Sequence, residues 1–306
     1  MRVLLAYSSL VLLWSTTPLA IQWSSREVGF LFGASARMTV GLMSISIVLL
    51  LLRQPIIFSR KALANYLAVA LQLYGSMIIV CWAAQFIPSG WVSVVFGLAP
   101  LMTAIITAIF LNERSLTLGK ICAYLMGIAG LILMFGSALQ LGTTAVWAVA
   151  SLLVAALLQV VSAIWVKQLN AQLPALVQVS GGLCLAVPAY LMTWWWIDGK
   201  WPVYIPTQTL GAIIYLGILA TTFGFALYYF ILKHLSTTRV ALISLMSPVL
   251  ALLLGHFLNR EPLTLQIIQG VALILSGLIV HEWAEYQLRK RLNTASEFVA
   301  SGNQRS

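Results

Sequence analysis

A rhythm of apolar runs, each about twenty residues long and cut apart by charges, prolines and glycines, constrains this chain more than any other feature of its sequence. A run of that length crosses roughly 30 Å of hydrocarbon as a helix rising about 1.5 Å per residue. A helix also satisfies its own backbone hydrogen bonds, which lipid cannot do for it. Ten runs can be marked, at 3–22, 30–52, 62–86, 89–111, 117–137, 143–165, 174–197, 207–232, 238–258 and 263–281. With 61% of residues apolar and only 8% charged, bilayer is the expected solvent. The runs use up nearly the whole chain and leave no segment for a soluble catalytic or nucleic-acid-binding domain.

The net charge of +10 is therefore read through topology before any polyanion is considered. With the N-terminus in the cytoplasm, that side collects Arg2, Arg53, Arg60, Lys61, Arg114, Lys120, Lys167, Lys233, Arg239, Arg289, Lys290, Arg291 and Arg305. The other side collects Arg26, Lys200 and Arg260, and Arg37 stays inside a span. This asymmetry follows the positive-inside rule and predicts an even span count with both termini cytoplasmic, in a bacterial inner membrane. The stretch Val3 to Leu13 behind Arg2 has the form of a signal-peptide core, but the run continues through Trp14 to Ile21 and reads better as a retained first span. Cys81, Cys122 and Cys184 lie in separate apolar runs, as packing residues with no disulfide or metal-ligand spacing. The segment 284–306 is charged and polar, and is expected to be a disordered cytoplasmic tail.

The fourth and fifth runs resemble the ninth and tenth. The first copy reads GLAPLMTAIITAIFLNERSLT and the second LMSPVLALLLGHFLNREPLT. Pro100 precedes Glu113 by the same interval that separates Pro248 from Glu261, and Gly130 and Gly277 recur at equal distances beyond. If the repeating unit is five spans, an odd number, the second copy is inserted upside down relative to the first. The expected organisation is thus one five-helix repeat over 1–137, a second over 143–283, and the tail. Inverted repeats are a device of carriers, because two such halves can exchange conformations around a midplane site.

The order and spacing of these motifs, together with LLWSTTPLA at 12–20 and Arg37 early in the second run, resemble the EamA-type transporters of the drug/metabolite transporter superfamily. The resemblance covers nearly all of residues 1–285. It implies an all-α integral membrane fold of ten helices around a central cavity, and export of amino acids or related small metabolites.

Several side chains are candidates for that cavity. Pro100 and Pro248 lie near the centres of their runs, where proline frees the carbonyls of Phe96 and Ser244 four residues earlier. Freed carbonyls at membrane depth can receive a substrate ammonium; the plainer alternative is a packing kink. Trp14, Thr17, Gln72, Tyr74, Ser76, Gln159, Ser162, Thr222, Tyr228 and Ser247 supply an uncharged, aromatic-walled lining suited to a zwitterion with a partly apolar side chain. Gln72 and Gln159 divide evenly between substrate contact and interhelical bonding, since a buried amide needs partners. Arg37 is the one formal charge well inside a run. It is expected to snorkel outward or to pair with Glu27 or helix-end carbonyls, with a substrate carboxylate as the lesser option. His256 is read first as a helix contact and second as a proton acceptor. Glu113 and Glu261 are expected to cap the helices that follow them.

No acid lies deep in any run, so the usual carboxylate proton relay is missing. The three histidines sit in separate segments without ligand spacing, and no nucleophile is paired with a base. The sequence thus predicts a transporter with no catalytic residue, no metal, no cofactor and no nucleic-acid partner. Its partners are a small molecule and the lipid bilayer, and it is expected as a monomer, with an oligomer left open. A multidrug efflux carrier is the alternative within the same class. An intramembrane enzyme or a non-transporting scaffold is the alternative outside it.

Overall fold

The computed structural model describes residues 2–110, 117–234 and 237–303. They form α1 (Arg2–Ser24), α2 (Phe30–Leu51), α3 (Arg60–Ala83), α4 (89–110), α5 (Leu118–Leu141), α6 (Thr143–Leu169), α7 (Ala175–Ile197), α8 (207–234), α9 (Thr237–Asn259) and α10 (Leu265–Asn303). Among the described residues nine helices are long and apolar enough to cross a bilayer, and α9 adds a shorter apolar stretch, Leu245–Asn259. The apolar runs therefore became helices close to the expected boundaries. Leu50, Leu51, Ile132, Trp147 and Trp196 remain exposed on the outside of the bundle, as side chains bathed in lipid can be. Trp91, Leu152, Leu183 and Tyr190 fill its interior.

Helix starts follow local chemistry. The hydroxyls of Ser59, Thr117 and Thr264 accept the backbone N–H of Ala62, Lys120 and Ile267, satisfying donors that the first turn leaves free. Gly142, at φ 115°, is the single residue between α5 and α6, a backbone conformation that a side chain would strain. Past residue 283, where a disordered tail is expected, α10 runs on to Asn303. The stretch EYQLRKRLNTA is rich in helix formers and contains neither glycine nor proline, so its composition is polar without being helix-breaking.

Two kinds of irregularity interrupt the helices. In α4 the regular pattern stops at Gly97 and resumes at Ala99, beside Pro100. By contrast α9 passes through Pro248 unbroken, so the two prolines, alike in the repeat, accompany an interruption in α4 alone. Gly97 supplies the difference: its counterpart in the second copy is Leu245, a far better helix former. In α3 and α8 the backbone widens into π-helical turns at Leu71–Ser76 and Tyr215–Phe223. There Met77 N–H reaches the Gln72 carbonyl and Gly224 N–H reaches that of Leu219, each five residues back. Such bulges are rare and concentrate at functional sites.

Small residues set the closest contacts. A Cβ on Gly130 would meet the Gly270 carbonyl at 2.5 Å, and one on Gly277 the Ala123 carbonyl at 2.9 Å. Gly119 likewise faces Ala284, so α5 and α10 run antiparallel in backbone contact. Elsewhere α1 packs on α8 and α9, α6 on α3 and α4, α2 on α7 and α8, α3 on α7, and α4 on α9.

Candidate functional site

The candidate site is built around the seam between α3 and α6. Ser76 Oγ donates to the Ala155 carbonyl (2.7 Å) and Ser162 Oγ to the Ala68 carbonyl (2.6 Å), which fixes the register of the two helices. Gln72 lies between Ala68 and Ser76 on one face of α3; Gln159 lies between Ala155 and Ser162 on one face of α6. The two residues therefore lie at the same level of the seam, between neighbours that are buried. Both are half-buried, and neither has a hydrogen-bond partner among the described residues. Of the two roles the sequence leaves open for them, interhelical bonding is not what these side chains do here.

Most of the remaining candidates are occupied in holding helices together. The Tyr74 hydroxyl shares a hydrogen bond with Thr193 (2.6 Å), and Thr222 shares one with Ser44. Trp14 stacks on Tyr228 at 5.3 Å between ring centroids, and Thr17 donates to the Leu13 carbonyl of its own helix. Ser76 and Ser162 are the seam bonds themselves. Phe96 and Pro100 are half-buried beside the break in α4, whereas Pro248 is buried in α9. Ser247 Oγ is buried without a partner. Glu113 and the side chain of Ser244 lie outside the described residues. A groove of about 340 Å³ opens between α2, α3, α6 and α7, but its walls, among them Phe30, Ile78, Trp82 and Val154, are apolar and contain neither glutamine.

Arg37 departs from its expected role. It is 4% exposed and does not snorkel. Its Nη2 instead donates to Cys81 Sγ at 3.2 Å, and its Nε is buried without a partner. Tyr190 is the other polar neighbour. The Tyr190 hydroxyl donates to the Leu73 carbonyl (3.0 Å) inside the π-helical turn, while Ser35 donates to the Tyr190 carbonyl. Arg37 is thus one side chain removed from the segment that carries Gln72. The sequence marks Arg37 as an isolated intramembrane charge; it gives no sign of Tyr190, which is one aromatic residue among many.

At the end of the bundle carrying the α9–α10 connection, polar groups form a clamp. Glu261, buried, accepts from Ser89 N–H (2.9 Å), Ser89 Oγ (3.1 Å) and Asn259 Nδ2 (2.8 Å). Asn259 Nδ2 also donates to Gln22 Oε1 (2.7 Å), and Trp23 and Arg26 donate to Asn259 Oδ1. Gln22 reaches across to the Ala84 carbonyl. One network thereby ties α1, the α3–α4 turn, α4 and α9 together. Gly255 makes room for it, because a Cβ there would collide with the Glu261 carboxylate. Glu261 does cap a helix, but it is the start of α4 across the bundle and not α10, whose cap is Thr264. Arg260, at φ 53°, turns the chain back toward α4, a bend invisible to local capping rules. His256 Nδ1 lies 2.8 Å from the Glu261 carbonyl, a contact at the helix end.

Known proteins align with this architecture. The EamA-like transporter family profile matches residues 1–136 and again 146–281. The transporter YoaV of Bacillus subtilis is 24% identical over 285 residues, covering 92% of this chain and 96% of its own. A transporter of Archaeoglobus fulgidus is 28% identical over 196 residues, covering 64% of this chain and 68% of its own. A protein of known crystal structure superposes with a TM-score of 0.61 at 22% identity, over 94% of this chain and 98% of that one. The profile match over both halves makes this chain a member of the EamA-like transporter family.

Proposed function

We propose that the protein exports amino acids or related small metabolites across a bacterial inner membrane by alternating access, with both termini cytoplasmic. What supports this reading is the pair of half-buried amides, Gln72 and Gln159, which the register set by Ser76 and Ser162 places at one level of the α3–α6 seam. Inside a membrane bundle a polar side chain without a partner is costly, so these amides are paired when cargo is bound. The π-helical turn of α3 lies at the same level and offers further backbone carbonyls.

Alternating access in the inverted-repeat form exchanges the roles of two five-helix halves, and the helix contacts support such an exchange. Exchanging each of the first five helices with its counterpart five places on converts the α1–α8 contact into α6–α3. The same exchange turns α1–α9 into α6–α4 and α2–α8 into α7–α3, and it leaves α2–α7, α4–α9 and α5–α10 unchanged. All of these contacts are present, and the π-helical turns sit in α3 and α8, one in each half. The clamp around Glu261 closes one end of the bundle, as a carrier open toward its other end requires.

Reconstitution in liposomes loaded with mixed amino acids tests the proposal. Saturable efflux, inhibited by competing amino acids, is expected. Gln72→Leu or Gln159→Leu should raise the half-saturation concentration about tenfold, the worth of one hydrogen bond of roughly 1.4 kcal/mol. Absence of efflux from the wild-type protein for the whole set, or unchanged half-saturation in both variants, overturns the assignment of this seam. A multidrug efflux carrier would instead move lipophilic cations and ignore amino acids.

A further inference from the structure

Arg37 carries a permanent charge into the bundle, and among the described residues no carboxylate comes within ion-pair distance of it. The chain contains seven acidic residues, Glu27, Glu113, Asp198, Glu261, Glu282, Glu285 and Glu297. Among the described residues the ion pairs are Lys120 with Glu285 and His281 with Glu282, while Glu261 is engaged at the clamp. Neither Glu27 nor Asp198 comes within ion-pair distance of Arg37. Its polar contacts among the described residues, the Cys81 thiol and the Tyr190 hydroxyl, are both neutral, and the buried Nε has none. A guanidinium cannot shed its proton to escape this cost, as a lysine or histidine would. Snorkelling is also closed to it at 4% exposure.

We infer that Arg37 is the anion-binding residue of the transport site, and that the cargo carries a carboxylate. This rests on the transport reading above and narrows it. The guanidinium stands beside Tyr190, whose hydroxyl is bonded to the Leu73 carbonyl next to Gln72. A carboxylate received by Arg37 thus places the remainder of a small molecule toward the π-helical turn and the two glutamine amides. Those groups offer carbonyl oxygens suited to an ammonium. The fork of donors on a guanidinium matches the two oxygens of a carboxylate, which a neutral amide or ester cannot reproduce. The same burial that makes an empty Arg37 costly makes a bound carboxylate strongly held, so the counter-ion of this residue is one that comes and goes with each transport cycle.

Matched pairs decide the point. Liposomes carrying the full-length protein are assayed for counterflow of L-amino acids and, in parallel, of their primary amides, which keep the side chain and ammonium but lose the anion. The wild-type protein is expected to prefer the acids at least about tenfold. In Arg37→Gln that preference should vanish through weaker uptake of the acids, while Arg37→Lys should retain part of it. Thermal melting of the solubilised wild-type protein gives a second reading that needs no variant: acids should raise the melting temperature and amides should not. If the wild-type protein moves both series equally, or Arg37→Gln handles acids with an unchanged half-saturation, the inference falls and the transport reading stands. If the wild-type protein moves neither series, the transport reading falls and this inference with it.

Discussion

At the scale of single residues, what decides a role is whether a polar group has already been used by a neighbouring helix. Ser76, Ser162 and Thr222 have the same composition-level credentials as Gln72 and Gln159, yet their hydroxyls bond to adjacent helices while the amides do not. The sequence could place all five in the bundle interior from their position in apolar runs. It could not separate them, because the separation depends on which helix lies opposite. Tyr190 shows the same limit from the other side. Its hydroxyl donates to the Leu73 carbonyl, one of the groups a π-helical turn leaves less well paired, and its side chain is fully buried. Tyr190→Phe removes that donor and leaves the carbonyl without it. A destabilisation of about 1–3 kcal/mol is expected, seen as a lower melting temperature in detergent, together with loss of transport. Transport and melting both at wild-type values would detach Tyr190 from the site.

At the scale of elements, the apolar rhythm made the spans legible, but helix irregularities were readable only in part. Proline is a visible mark, and the paired Pro100 and Pro248 invite a symmetric reading. The backbone instead interrupts α4 and leaves α9 continuous, because Gly97 lowers helix stability next to Pro100 while Leu245 holds the equivalent turn together. The π-helical turns, LQLYGS and YLGILATTF, have no comparable mark in the sequence. The asymmetry of the prolines yields a comparison between variants. Pro100→Ala restores an N–H able to close the bond to the Phe96 carbonyl and should straighten a helix that is now broken. Pro248→Ala restores a donor in a helix that is already continuous. Efflux should therefore fall several-fold more in Pro100→Ala than in Pro248→Ala, with both variants inserted at wild-type levels. Equal losses would mean that the break in α4 has no part in the cycle.

At the scale of the whole molecule, the clamp around Glu261 links parts of the chain far apart in sequence: Gln22 on α1, Ser89 on α4 and Asn259 on α9. Glu261 was legible as a helix cap and Arg26 and Arg260 as loop charges, but their convergence is a property of the assembled bundle. Because the carboxylate is buried, it depends on its three donors; those donors belong to different helices, so under the proposed alternating-access cycle the clamp would set the cost of opening this end. Gly255 has no side chain to wedge the contact apart, so the network needs both the acid and the glycine. Glu261→Ala should free the Ser89 backbone N–H and shift the population toward the state open at this end. The shift can be read by placing a cysteine at position 72 in a background lacking Cys81, Cys122 and Cys184, and adding a membrane-impermeant maleimide to the side of the membrane that the proposed orientation assigns to this end. With Glu261 present, labelling of that cysteine should be slow; with Glu261→Ala it should be about tenfold faster, corresponding to roughly 1.4 kcal/mol of lost closure. Saturating cargo added outside should slow the labelling again by filling the seam. Labelling that is fast from the outset, or indifferent to the substitution, would mean that these hydrogen bonds brace the fold without controlling access.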